Sequence, residues 1–431
     1  VTRNALLDTL GAGLYGVGTP WAGAMRDWAL EGSGFAQGKG EARVWGASGA
    51  RLRAADAAMV NGVAAHAFEL DDYHNAKLHA GAVVIPAAIA IAEKHDLDGE
   101  RLLAAIAIGY EVMIRTSLAL GPSAARLRGW HITGICGPFG AAAACASLLG
   151  LDAERTAWAL GLAGTQGAGT WAFNADGTMS KRLHPGRAAH AGVLAAELAA
   201  RGFSGPTQIY EFNDGGFLRA FTDSTNTAPL TDRLGSHFHL DATSVKPYSC
   251  CGSTHSYIDA ARELRRRFGA PWDPQRKVRV GLSKVVDVQC GFDYEPSSTL
   301  NAQMSLRYCI AVALMDGQAL PKQFDDARLR DPSTMDLAAA LEFVPDPELD
   351  KLYPANFAGW VGAEAGGRSE RIDVMNPTGS PSHPISFDGL IEKFRGVVTG
   401  PDIDAIVAGV RDVEKRKVRD FVALLHPVAG A

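Results

Sequence analysis

A short polar segment, Glu69-Leu70-Asp71-Asp72-Tyr73-His74-Asn75-Ala76-Lys77-Leu78-His79-Ala80-Gly81, sits between two Ala-rich apolar stretches, Val60 to Phe68 and Ala82 to Ala92. The flanks have to be buried, and they carry the polar residues between them into the interior. An unpaired neutral polar group there costs roughly 2–7 kcal/mol, and a charge more. The acids, imidazoles and lysine of this segment therefore need partners inside the fold, and that is the usual circumstance of a site.

The rest of the chain supplies helices to bury it. Residues 1 to about 240 read as helix after helix. Leu97-Asp98-Gly99-Glu100 is a start signal, with Asp98 as N-cap; the row Leu102, Ile106, Tyr110, Ile114 then follows at helical spacing. Leu151-Asp152-Ala153-Glu154 repeats the signal. Past Pro247 the texture changes. Lys277 to Leu282 and Val285 to Cys290 are β-branched and predict strands, Ser305 to Asp316 a helix, and Gly359 to Val374 a hairpin turning at Ala365-Gly366-Gly367-Arg368. From Ser386 to Leu425 the pattern is helical again. The glycines at 161, 164, 167 and 169 follow no strand and are not a phosphate loop.

A length of 431 residues allows two or three domains. The net charge of −5 is spread along the chain, with no basic stripe for nucleic acid. The apolar run from Ala80 to Ala92 is too short to span a bilayer, and the N-terminus is a poor signal peptide. The six cysteines show neither a disulfide framework nor a CxxC pair and fit a reducing cytoplasm.

Three further polar islands follow the first: Trp130-His131-Ile132-Thr133-Gly134, Ser180-Lys181-Arg182-Leu183-His184-Pro185-Gly186, and Lys246-Pro247-Tyr248-Ser249-Cys250-Cys251-Gly252-Ser253-Thr254-His255. The patterns DD-x6-H-x-G and KRLHPG-x-AAH-x-G, with the other islands, resemble the MmgE/PrpD family from Leu7-Asp8-Thr9-Leu10-Gly11 to Lys393-Phe394. That family includes 2-methylcitrate dehydratase, cis-aconitate decarboxylase and iminodisuccinate epimerase. The resemblance implies a mainly α protein: a large all-helical domain over 1–244, an inserted α+β lid over 245–376, and a C-terminal helical segment over 377–431 returning to the first domain. It also implies a homodimer, a metal-free site without cofactor, and an N-terminus that begins later than in most members.

Histidines titrate near neutrality and can move a proton at a carbon next to a carboxylate. His79 and His131 occupy motif positions and are the candidates; His66 and His74 read as structural. Asp71 and Asp72 read as acids that orient a histidine or cap the next helix, in preference to metal ligands. Lys181, Arg182, His184 and Lys246 form a cationic set suited to a carboxylate, placed where His184-Pro185-Gly186 would bend the chain. The resemblance assigns the Lys181 and Lys246 positions to the carboxylate site, with Lys181 also a candidate for proton transfer. It further matches Tyr308 to a tyrosine near the site. Cys251 reads as a site wall; a Cys251–His255 nucleophilic pair would need a helix that begins before Cys251. In the decarboxylase a histidine stands at the Cys251 position, an Asp at Glu69 and a Thr at Tyr73. The expected activity is a lyase of a small di- or tricarboxylate, dehydratase-like, with an epimerase or a decarboxylase as alternatives. A non-catalytic metabolite binder is the alternative of another class.

Overall fold

The apolar flanks of the polar segment form helices Ala54–Ala65 and Gly81–Lys94. They pack with helices Gly99–Leu120, Ile132–Leu149 and Ser180–Ala200 into one large buried cluster. In this computed structural model the described residues are 1–34, 39–353, 355–400 and 402–426; residues 427–431 of the expected C-terminal segment lie outside them. Helix makes up 58% of the chain, so the fold is mainly α. Small residues set the helix spacing. A Cβ on Gly186 would lie 2.5 Å from the Met59 carbonyl oxygen, so Ser180–Ala200 can cross Ala54–Ala65 this closely only with glycine there. Gly99–Leu120 and Ile132–Leu149 are long and apolar enough to cross a membrane, but both are mostly buried as core helices.

Helices Phe387–Val397, Ile403–Arg411 and Val418–Ala423 close the same cluster from the far end of the sequence. Phe387–Val397 packs on the first helix, Thr2–Gly16. Its Lys393 ammonium donates to Asp8 at 2.5 Å and to the Leu70 carbonyl at 2.7 Å.

A second buried cluster spans Tyr248 to Ala363 and is joined by Ala12, Phe68, Leu70 and Phe173 from the first part. It contains helices His255–Phe268 and Leu306–Asp316 and a four-stranded sheet. The sheet order is Glu342–Pro345, Lys277–Leu282, Gly359–Ala365, Arg368–Val374. The first pair is parallel, the others antiparallel, and Val280 stands opposite both Phe343 and Val361. The expected hairpin over Gly359–Val374 is present, with Gly366 and Gly367 at positive φ in its turn.

Three local expectations are corrected. Lys284–Cys290 is a helix, not a strand. The Ser283 hydroxyl caps it by accepting the Val286 N–H, and the buried positions Val286 and Cys290 are four apart, so helical burial overrides β-branched propensity. The chain does not bend at Pro185; Ser180–Ala200 runs through it, the proline near the helix start costing one backbone bond. Asp98 stands at the N-cap position, but its carboxylate pairs with Lys417 at 2.7 Å and makes no cap bond, whereas Asp152 does cap, accepting the Arg155 N–H.

Candidate active site

Three long helices begin at one place. His79 lies just before Gly81–Lys94, His131 is the N-cap of Ile132–Leu149, and Lys181 is the second residue of Ser180–Ala200. The positive ends of three helix dipoles meet there, which favours an anion. These residues line one side of a cavity, with Glu69, Arg126 and Trp171; Cys251, Ser253, Gln289, Met304 and Phe357 line the other. The cavity thus lies between the two buried clusters.

Glu69 is the hub behind the wall. Its backbone is left-handed, φ 52°, a costly conformation for a glutamate that turns the chain sharply into the polar segment. Its carboxylate accepts from Arg182 at 2.8 Å, from Lys246 at 2.7 Å and from Lys181. All four side chains are almost wholly buried. Arg182 also donates to the His66 carbonyl and to Gln303, whose amide in turn donates to the carbonyls of Phe68 and Ser249. The two sides of the cavity are tied together at its rear by this network. Burial, with the Arg182 and Lys246 cations beside it, holds the Lys181 ammonium well below the usual lysine range, which eases loss of its proton.

The imidazoles are wired by what their neighbours can accept. His79 Nδ1 lies 2.8 Å from the Asp72 carbonyl oxygen. A carbonyl only accepts, so Nδ1 carries the proton and the neutral ring has its lone pair at Nε2. Asp71 Oδ2 accepts from His66 Nδ1 at 2.7 Å and lies 3.4 Å from His79 Nδ1. The neighbouring His66, Lys246 and His79 hold the Asp71 carboxyl well below the usual range against the opposing effect of burial, which is the largest single influence on it. His131 Nδ1 and His184 Nδ1 are 2.8 Å apart, so the pair shares one proton. Burial pushes His184 down to about 4 and His131 well below its usual value, and both rings are neutral at pH 7. Asp72 does not line the cavity. It accepts from the Gly81 N–H and the Tyr110 hydroxyl, and burial pushes its carboxyl up to about 7.

His66, Asp71 and His79 bring ligand-type atoms within 4.8 Å of one another. Their carboxylate lies 3.6 Å from the Lys246 ammonium, which competes with a metal ion for it, and the trio is arranged as a hydrogen-bond chain.

The structure gathers His79, His131 and Lys181 at the cavity with Cys251, and puts Asp71, Asp72, Arg182, His184 and Lys246 directly behind. His66, read as structural from the sequence, is in the network, its ring 4.6 Å from that of His79. His74 lines the cavity, but its Nδ1 accepts the Ala76 N–H. Cys251 and His255 do not pair: the helix starts only at His255, whose Nε2 faces the Cys250 carbonyl at 3.2 Å. A hydrogen bond with Cys290, with Lys181 and Lys246 nearby, brings the Cys251 thiol down to about 5. Tyr308 is placed elsewhere. It is buried in the second cluster between Tyr294 and Phe324, and its hydroxyl donates to the Gln323 carbonyl. Tyr308→Phe is accordingly expected to keep kcat/KM within about threefold of the wild type while costing about 1 kcal/mol of stability, the worth of one hydrogen bond; parallel kinetics and urea unfolding check this. Arg126 and Trp171 had no signal in the sequence, Gln289 stood in a segment read only as a strand, and Lys77 stood out only as part of the polar segment, with no role assigned to it.

Comparison with known proteins agrees with this organisation. The MmgE/PrpD N-terminal domain matches residues 1–229 and the MmgE/PrpD C-terminal domain residues 248–404. A cis-aconitate decarboxylase of Aspergillus terreus (strain NIH 2624 / FGSC A1156) is 30% identical over 93% of this chain and 86% of its own. The cis-aconitate decarboxylase-like protein oryM of Aspergillus oryzae is 32% identical over 91% and 84%, and the human cis-aconitate decarboxylase 29% over 96% and 87%.

Proposed function

The chain belongs to the MmgE/PrpD family, and from that premise we propose that it is a cofactor-independent lyase of a small di- or tricarboxylate, one that eliminates water after removing a proton α to a carboxylate. The observation that carries the reading is His79. Its Nδ1 proton is committed to the Asp72 carbonyl, and this leaves Nε2 as a base at a cavity lined by Lys77, Arg126 and Lys181, with Arg182 and Lys246 behind the wall beside the carboxylates of Glu69 and Asp71. Nε2 takes the α-proton, and the enolate-like charge that develops is stabilised by the surplus cations and the three helix ends. The hydroxide leaves from the neighbouring carbon with a proton from Lys181 or His131 and departs as water. The cavity lies between two separately packed clusters, so substrate entry and water exclusion call for the second cluster to move as a lid.

Decarboxylation is the second reading, favoured because the named relatives are cis-aconitate decarboxylases. In that case carbon dioxide leaves first and the same groups deliver a proton to the carbanion. Proton NMR in deuterium oxide on citrate-like, aconitate-like, tartrate-like and aminosuccinate-like acids separates them. Alkene signals arising from a hydroxy acid support dehydration. Loss of a carboxylate with deuterium at the adjacent carbon supports decarboxylation. No exchange and no turnover with any of these acids would sink both.

A further inference from the structure

Lys181, Arg182 and Lys246, the cations that sequence pattern assigns to carboxylate binding, all spend their charge on Glu69. Two other cations line the cavity and have no carboxylate partner among the described residues, Arg126 and Lys77. Both are held in place by aromatic rings. The Arg126 guanidinium carbon stands 3.6 Å from the centroid of Trp171. The Lys77 ammonium lies 4.6 Å from the centroid of Tyr353 and donates to its hydroxyl. Stacking on Trp171 and a hydrogen bond to the neutral Tyr353 hydroxyl orient the two cations without neutralising them. The Trp171 indole N–H, on the same wall, is buried and has no acceptor. Lys77 also has a left-handed backbone, φ 63°, a strained conformation held where the side chain enters the cavity. The two cations are near enough that Arg126, after burial, pushes the Lys77 ammonium down to about 8, against the opposing pull of the Cys251 sulfur on the facing wall. Both residues are less buried than Lys181, so they form the outer end of the cavity.

We propose that Arg126 and Lys77, with the Trp171 indole N–H, form a second carboxylate subsite that grips a carboxylate of the substrate remote from the reacting carbon. This assignment rests on the reading of the cavity as a polycarboxylate site and deepens it. The inner end, where Glu69 and Asp71 hold Lys181, Arg182 and Lys246 in place, handles the reacting centre, and the outer pair selects for a further carboxylate. The substrate class is then an acid with carboxylates at both ends of a short carbon chain, and a monocarboxylate is disfavoured because it would leave two half-buried cations with only the Cys251 sulfur to offset them.

The test is binding, not turnover. Titration calorimetry with propane-1,2,3-tricarboxylate is carried out on the wild type, Arg126→Gln, Arg126→Lys and Lys77→Gln. Arg128→Gln, a change at an exposed residue paired with Asp223, is the control. Arg126→Gln and Lys77→Gln each weaken binding by roughly 10–100-fold, the range for a lost hydrogen bond to a charged group; Arg126→Lys falls between, and Arg128→Gln matches the wild type. Inorganic phosphate binds the wild type more weakly than the tricarboxylate. Equal affinity of the wild type and Arg126→Gln, with circular dichroism showing both folded, overturns the subsite alone. Phosphate binding as tight as the tricarboxylate overturns its assignment to a carboxylate. Failure of the wild type to bind any of these acids at millimolar concentration overturns the subsite and the polycarboxylate reading together.

Discussion

His79→Ala lowers kcat by roughly 10²–10⁴, the contribution of a positioned general base, and abolishes deuterium exchange at the substrate α-carbon. It leaves the affinity for propane-1,2,3-tricarboxylate within about threefold, because the cationic side chains that attract the carboxylates are untouched. His79→Asn separates tautomer from ring. The asparagine amide can still donate to the Asp72 carbonyl, but it offers no basic nitrogen to the cavity, so the loss persists. Exchange at near wild-type rate in both variants would place the base elsewhere, with Lys181 the next candidate on geometry. The same experiment on His184→Gln has a distinguishable outcome. A glutamine can complete the one-proton link to His131 but cannot pass the proton on, so any effect shows in the pH profile and solvent isotope effect before it shows in binding.

Glu69→Gln is expected to destabilise the fold by about 3–5 kcal/mol, the usual cost of removing one partner from a buried ion pair. The upper end is favoured because one carboxylate serves three buried cations, Lys181, Arg182 and Lys246. Asp71, 3.6 Å from Lys246, and the Cys251 sulfur beside Lys181 and Lys246 would then remain to offset them. Urea unfolding of the two proteins gives the difference directly. A loss below about 1 kcal/mol, the size of an exposed pair, would mean that the cations are hydrated or neutral in the folded state and that the network described here is wrong. Glu69→Asp keeps the charge and shortens the reach by one methylene; it should fall between the two and report how closely the three donors depend on the carboxylate's position.

What could be read from the sequence was whatever has a local cause. Helices Gly99–Leu120 and Ala153–Gly164 are announced by Asp98, Asp152 and a row of apolar residues four apart, and the Gly359–Val374 hairpin by Gly366-Gly367. Lys284–Cys290 was misread because Val285, Val286 and Val288 argue for a strand, and only the packing of Val286 and Cys290 argues for a helix. His79, His131 and Lys181 were legible because each sits in a motif at a helix start. The role of Glu69 was not. Its partners lie 112, 113 and 177 residues away, and nothing local distinguishes a hub carboxylate from a solvated one. The same distance effect hid the true partners of the cationic set and left Arg126 unnoticed, since its platform Trp171 belongs to another segment. Tyr308 illustrates the converse error: a motif match placed near the site a residue that packing puts in a different core.

The closure of Thr2–Gly16 by Phe387–Val397 has a consequence for biosynthesis. Helix Thr2–Gly16 buries Leu6, Leu7 and Leu10 and carries the buried Asp8 carboxylate, yet Lys393, which pairs with Asp8, is synthesised 385 residues later, on the helix that also supplies Phe394. At about 5–20 residues per second the interval is roughly 20–80 seconds, and every catalytic candidate is synthesised within it. Nascent chains should therefore spend that time with an apolar face and an unpaired acid exposed, a natural substrate for holding chaperones. A chain stopped before residue 387 would keep that face open permanently, however complete its active site.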